Sequence, residues 1–285
     1  MSVAREFNGA KLHILTTGRR DYQSVHLVHK LAENWQAKGF EVSSGPLDEV
    51  PAGIAAVICH WDQTKVDPSL LPRNPHKVPI LNQGILDISK DSFSLLTLHE
   101  GDAWGGSVIV KTIFNCFGQA EAKKKRLSFV QRLQKKLAKK NWKLARRLPP
   151  FTYPVLGSVR EVPSWVWADP NLIVEKFVPE REGDLYSIRF CIFFGKKSYA
   201  YRLFSKEPIV KNRENSERFE FIESDPPEAL IRFKETHGLD FGKIDYVEND
   251  GEVVAFDINK TPTVASDADA PHLQKLAEGI FDFLR

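Results

Sequence analysis

Apolar positions in the N-terminal third fall into two alternating textures. Lys11 to Thr16, Phe40 to Ser43, Ala55 to His60 and Val78 to Asn82 are short β-prone runs and predict strands. Between the first two, Val25, Leu27, Val28, Leu31 and Trp35 recur near i, i+3, i+4 spacing, one face of a helix, and Gly39 stands where a C-cap would fall. Strand–helix–strand alternation predicts a mostly parallel sheet. No GxGxxG follows the first strand, so a dinucleotide site has little support. The Thr16-Thr17-Gly18-Arg19 turn reads as a plain strand-to-helix connection, with anion binding at the following helix N-terminus as the alternative.

Ser107 to Thr112 predicts a further strand that ends in Lys111 and runs into a loop containing Asn115 and Gly118. Leu127, Val130, Leu133, Leu137, Leu144 and Leu148 then fit a helical stripe loosely, across two helices, until Pro149-Pro150 stops it. From Leu172 the texture changes. LIVEKFV, YSIRFCIFF, SYAYRLF, GKIDYV and EVVAFDIN are separated by Gly, Pro and Asn turns and predict an antiparallel sheet, closed by a last helix over Ala270 to Leu284.

Composition narrows the class. A chain of 285 residues suggests roughly two domains, and 42% hydrophobic with 27% charged residues excludes a disordered or fibrous protein. The apolar runs Ala55 to Cys59 and Phe190 to Phe194 are far short of the ~20 residues of a membrane span. Met1 to Ala10 has no apolar core and does not read as a signal peptide. Cys59, Cys116 and Cys191 form no CxxC pair, which predicts reduced thiols and a cytoplasmic protein. The net charge of +3 conceals a division: Lys123 to Arg147 holds twelve basic residues and no acid, leaving 28 basic against 37 acidic residues elsewhere.

The residues with the most chemistry lie in KIDYVENDGEVVAFDIN. Asp257 and Asn259 are two apart on a predicted strand and share a face. A two-residue Asp250-Gly251 loop would pair Asp245 with Phe256 and turn it away from them. A three-residue Asn249-Asp250-Gly251 loop would pair Asp245 with Ala255, and all three would project together. Two carboxylates and an amide oxygen on one face are hard ligands of the kind Mg²⁺ takes alongside phosphate oxygens. The plainer alternative is a solvated strand face with Lys243 paired to Asp257. Lys111 at its strand end is suited to a phosphate, or simply to solvent. Arg189 and Arg202, on neighbouring aromatic strands, need an anion or a carboxylate such as Glu175 or Asp184.

In order along the chain, Lys111, the Glu175-Lys176-Phe177-Val178 segment, Arg189 and Arg202, and finally Asp245, Asp257 and Asn259 resemble the ATP-grasp superfamily, in its ribosomal-protein glutamate ligase and glutathione synthetase branch. The resemblance spans about Lys90 to Thr261. It implies an α/β chain with an N-terminal α/β pre-ATP-grasp domain (1–90), a small central lid subdomain (91–171) carrying the basic helical segment 123–147, and a C-terminal ATP-grasp subdomain with an antiparallel sheet (172–285). It also implies ATP and Mg²⁺ as cofactors. By the same resemblance Glu175 and Phe177 would belong to a hinge that places adenine against backbone groups of Lys176 and Val178. Lys111 would contact the phosphates, with Lys90 as the earlier lysine of an Asp-Lys motif whose Asp is here Ser89. Asp245, Asp257 and Asn259 would hold one or two Mg²⁺ ions. Asp184 substitutes for a ribose-binding acid, since Ser187 stands where the branch's Asp-Ile-Arg strand has its Asp. The family's usual Glu is Asp257, one methylene shorter, and Phe114, Cys116 and Phe117 make the loop after Lys111 more apolar and poorer in glycine than the usual phosphate-covering loop.

The resemblance implies ATP-dependent ligation: a small-molecule or peptide carboxylate becomes an acyl phosphate, which an amine or thiol then attacks, with Arg189 and Arg202 orienting the carboxylate. The alternatives are an ATP-grasp kinase acting on a hydroxyl, or a non-catalytic ATP-binding or interaction protein. The histidines are scattered and form no catalytic constellation. Segment 123–147 reads as a solvated helix pair or as a contact for a polyanion or an anionic surface. Oligomeric state, a homo-oligomer included, stays open.

Overall fold

The computed structural model describes residues 9–18, 22–118, 129–210 and 215–284. Its first sheet is parallel throughout, in the order β2-β1-β3-β4: β1 is Lys11–Leu15, β2 Glu41–Gly45, β3 Ile54–Cys59 and β4 Ile80–Leu81. Helix α1, Leu27–Ala37, crosses from β1 to β2 and buries Leu27, Val28, Leu31 and Trp35. Val25 lies ahead of this helix and is 50% exposed, so the helical stripe begins one residue pair later than its spacing suggests.

This unit does not close its own core. Leu12, Ile14 and Trp35 share one buried cluster with Phe194, Phe241, Leu273 and Ile280 from the far end of the chain. The Trp35 indole donates to the Ala277 carbonyl at 2.8 Å, which satisfies the one polar atom of a fully buried ring. Asn82 makes the second junction. Held at φ +60° after β4, its side-chain oxygen accepts from the amides of Asp240 and Phe241, and its side-chain nitrogen donates to Phe241 O.

A small antiparallel sheet follows, in the order β5-β8-β6-β7: β5 is Thr97–Leu98, β6 Val108–Thr112, β7 Val155–Leu156 and β8 Leu172–Lys176. The LIVEKFV strand therefore pairs with Val108–Thr112 and lies outside the C-terminal sheet. Its alternation and apolar content suit either neighbour, so periodicity could not choose between them. Helix α2 (Lys90–Phe93) precedes this sheet, and α3 (Phe129–Ala138), α4 (Trp142–Ala145) and α5 (Ser164–Trp167) are inserted between its strands. Part of the basic segment, 123–128, lies outside the described residues. In the rest, Lys135, Lys136, Lys139 and Lys140 are exposed, with Leu133 and Leu137 exposed beside them.

The third sheet runs β12-β11-β10-β13-β14, with β9 on β10: β9 is Glu180–Glu182, β10 Leu185–Phe194, β11 Lys197–Ser205, β12 Arg218–Ile222, β13 Phe241–Asn249 and β14 Glu252–Asn259. All its pairs are antiparallel. Helix α6 (Glu228–Thr236) leads into β13, and α7 (Pro271–Ala277) passes into a 3₁₀ turn, Glu278–Asp282. The change to the tighter turn coincides with contact at Gly279, where a Cβ would lie 2.0 Å from Phe194 O. Among the described residues no helix is long and apolar enough to cross a membrane.

Candidate nucleotide and metal site

The β13–β14 hairpin turns through Asp250 (φ +50°) and Gly251 (φ +82°), with Asn249 opposite Glu252. This is the two-residue turn of the Asp-Gly signature. Its ladder runs regularly to Tyr246 opposite Ala255 and then shifts, so that Asp245 faces Asp257 and Phe256 is the extra residue of a bulge. Neither register drawn from turn length alone is the observed one. The bulge returns Asp245 to the face of Asp257 and Asn259, and it also lets the consecutive residues Phe256 and Asp257 both line one cavity.

That cavity, of about 250 Å³, lies between the small sheet and the C-terminal sheet. Of the residues singled out in the sequence, Lys90, Lys111, Glu175, Lys176, Phe177, Val178, Asp245, Asp257 and Asn259 all line it. Leu96, Ile109, Ile188, Val247 and Phe256 supply an apolar wall. Lys90 enters from the start of α2, whose backbone amide is tied to Ile113 O at 3.0 Å. Lys111 and Glu175 come from adjacent strands of the small sheet, two residues out of register, so their side chains meet diagonally on one face.

Every acid lining the cavity already has an ammonium group beside it. Lys111 Nζ lies 2.5 Å from Glu175, Lys90 Nζ 3.1 Å from Asp257 and Lys243 Nζ 2.8 Å from Asp245. Glu175 is fully buried and Lys90 1% exposed, so these pairs sit out of bulk water. Burial by itself would pull the Lys243 ammonium down, but the Asp245 carboxylate overrides it and holds the group above its ordinary value. Burial, opposed by Lys243 and reinforced by Asp257, pushes the Asp245 carboxyl up. With four lysines against three acids, the lining carries a charge of about +1, suited to an anion.

Asp245, Asp257 and Asn259 form an all-oxygen donor set, and two opposed carboxylates with room for phosphate oxygens match what Mg²⁺ accepts. The Asn259 side-chain oxygen also accepts from the Thr261 amide at 2.8 Å, which fixes its direction. Among the described residues no group of three or more His, Cys, Asp or Glu side chains is placed to hold a metal.

Arg189, Arg202 and Asp184 are not among the cavity-lining residues. Arg189 is held by Glu180 at 2.9 Å and by Glu248 at 2.8 Å. Arg202 meets Glu180 at 2.5 Å and Glu182 at 2.8 Å. The carboxylate partners are thus glutamates of β9 and β13, in place of Glu175 or Asp184. Asp184 is exposed in the β9–β10 turn. Ser187 does line the cavity, and Arg202 reaches its hydroxyl at 2.9 Å.

Two further lining residues, Cys116 (φ +45°) and Phe117 (φ +57°), are consecutive non-glycine residues in the left-handed region, a conformation that stores strain. Phe117 packs on Tyr153, another cavity residue, with ring centroids 4.4 Å apart. Tyr153 follows no motif and had no signal in the sequence. Lys243 had one: standing two residues before Asp245, strand alternation alone puts it on the same face.

No protein-family model and no curated protein matches this sequence. Solved structures do. The ATP-grasp ligase PsnB complexed with minimal precursor is similar at a TM-score of 0.56 and 11% identity, covering 96% of this chain and 100% of that one. The same ligase complexed with a phosphomimetic variant of minimal precursor, Mg and ADP gives 0.57 and 12%, covering 97% and 99%. At such identities the likeness establishes the fold: this chain has the ATP-grasp fold.

Proposed function

We propose that this ATP-grasp chain is an ATP- and Mg²⁺-dependent ligase that activates a substrate carboxylate as an acyl phosphate for attack by an amine or thiol. The observation that carries the reading is the convergence, in one cavity between two antiparallel sheets, of Lys90, Lys111, Asp245, Asp257 and Asn259 beside an apolar wall. The PsnB structure that holds Mg and ADP with its precursor variant supports nucleotide chemistry on this fold.

In this reading the apolar wall and the Lys176–Val178 segment take the adenine, and Lys90 and Lys111 turn toward the phosphates. Asp245, Asp257 and Asn259 would hold Mg²⁺, which when bound would supply charge neutralisation during phosphoryl transfer. The ion pairs of Lys90 and Lys111 would exchange partners as ligands enter, the ammonium groups turning toward the phosphates. Phosphoryl transfer needs mainly position and compensating charge, and both are built from lysines and acids on rigid strands. The substrate carboxylate oxygen attacks the γ-phosphorus and ADP leaves; the nucleophile then displaces phosphate from the acyl carbon. A small-molecule or peptide carboxylate is the acceptor class.

The test is ADP release in the presence of hydroxylamine across pools of carboxylates. A ligase yields a hydroxamate with each ADP. Phosphorylated product without hydroxamate would point to a kinase, and nucleotide binding without ADP release in any pool would sink the catalytic reading.

A further inference from the structure

Lys243 occupies the metal face itself. It sits on β13 opposite Asn259 and two residues before Asp245, so its side chain projects from the same side as all three proposed oxygen donors. Its ammonium lies 2.8 Å from Asp245 Oδ1 and 4.4 Å from the centroid of the Phe190 ring on β10. A carboxylate on one side and an aromatic face on the other fix a lysine that would otherwise be free to leave. Only 19% of its side chain is exposed. Lys90 is bound differently: it reaches Asp257 from α2, on another element, and also donates to Phe114 O at 3.3 Å.

Resting on the nucleotide reading above, we propose that Lys243 is a resident counter-ion of the metal face, so that the site takes one divalent ion with its nucleotide where the donor set alone would admit two. Two metal ions in such a site stand about 3.5–4 Å apart and share carboxylates between them. Here the carboxylates number two, Asp245 and Asp257, and each already has an ammonium group beside it; Lys90, which comes from α2, is the one that turns to the phosphates, and Lys243, on the metal face itself, is the one that stays. A pair of divalent ions beside Lys243 would set five positive charges against two negative ones before the phosphates are counted. One divalent ion sets three against two, a surplus that the nucleotide's phosphates absorb. Asp257, a methylene shorter than glutamate, also reaches less far as a bridge between two ions.

The experiment is equilibrium dialysis of the full chain with Mn²⁺ and a nonhydrolysable ATP analogue, with electron paramagnetic resonance of the retained Mn²⁺. The wild-type chain is expected to retain one Mn²⁺ and one analogue, with no spin-coupled signal. Lys243→Met is expected to retain two Mn²⁺ with a spin-coupled signal, and Lys243→Arg to keep one. Two coupled Mn²⁺ ions in the wild type would overturn the proposal, as would a folded Lys243→Met that still retains one. Should Lys243→Met fail to fold, the wild-type stoichiometry decides alone. Retention of neither Mn²⁺ nor analogue by the wild type would instead overturn the nucleotide reading together with this one, which separates the two failures.

Discussion

Lys111 sits with 9% of its side chain exposed, 2.5 Å from a glutamate that has no exposure at all. Removing one partner of such a pair strands the other charge in a poorly solvated place. Lys111→Met is expected to cost about 3–5 kcal/mol of stability in urea unfolding. Lys111→Met combined with Glu175→Gln should recover most of that, while neither variant retains tight binding of an ATP analogue. Lys260 makes the opposite case. It is 2% exposed, and burial draws its pKa down to about 8 from the usual lysine value of 10.5. Between those two values the unfolded chain binds more protons than the folded one, so stability rises with pH across that window. Below about pH 8 the buried ammonium is a standing cost of about 3 kcal/mol. Lys260→Met should therefore stabilise the protein at pH 7, with the advantage shrinking as unfolding is measured from pH 8 toward 10.5.

The hairpin of β13 and β14 shows how an element is set by two devices at once. Asp250-Gly251 fixes a two-residue turn, which on a regular ladder would have put Asp245 opposite Phe256. The bulge at Phe256 moves the register by one residue, and a one-residue slip exchanges the two faces of a strand. The place of the turn was legible in the sequence, but its length was left between two and three residues; the bulge was not legible, because no local turn signal marks Phe256, which stands 5.0 Å from the Lys111 ammonium in the folded chain. At the other end of the chain, the 3₁₀ turn after α7 depends on Gly279. A methyl group there would meet Phe194 O at 2.0 Å and Phe194 C at 2.8 Å, backbone atoms with no flexible end to move. Gly279→Ala should cost about 1–3 kcal/mol, seen as a lower thermal midpoint.

At the scale of the molecule, the parallel unit and the C-terminal sheet share a core, and Asn82 locks them together through three hydrogen bonds to Asp240 and Phe241. Asn82→Ala leaves buried backbone groups unpaired, and about 2–4 kcal/mol should be lost. Amide exchange should then quicken at both the end of β4 and the start of β13. The basic segment belongs to this scale as well. If its exposed lysines dock on a polyanion, binding should fall steeply with added salt and disappear when Lys135, Lys136, Lys139 and Lys140 are all neutralised. Binding to a polyanion that survives those changes would remove that role. The sequence by itself determined the strand–helix alternation, the later antiparallel strands and the order of Lys111, Glu175, Asp245, Asp257 and Asn259, because period and local turn chemistry are properties of neighbouring residues. The tertiary structure decided that LIVEK joins the small sheet, that Glu180 takes Arg189 and Arg202, and that each cavity acid meets its own lysine. Those outcomes depend on which strands lie side by side, and side chains as far apart in the chain as Lys90 and Asp257 meet only once the sheets have closed around the cavity.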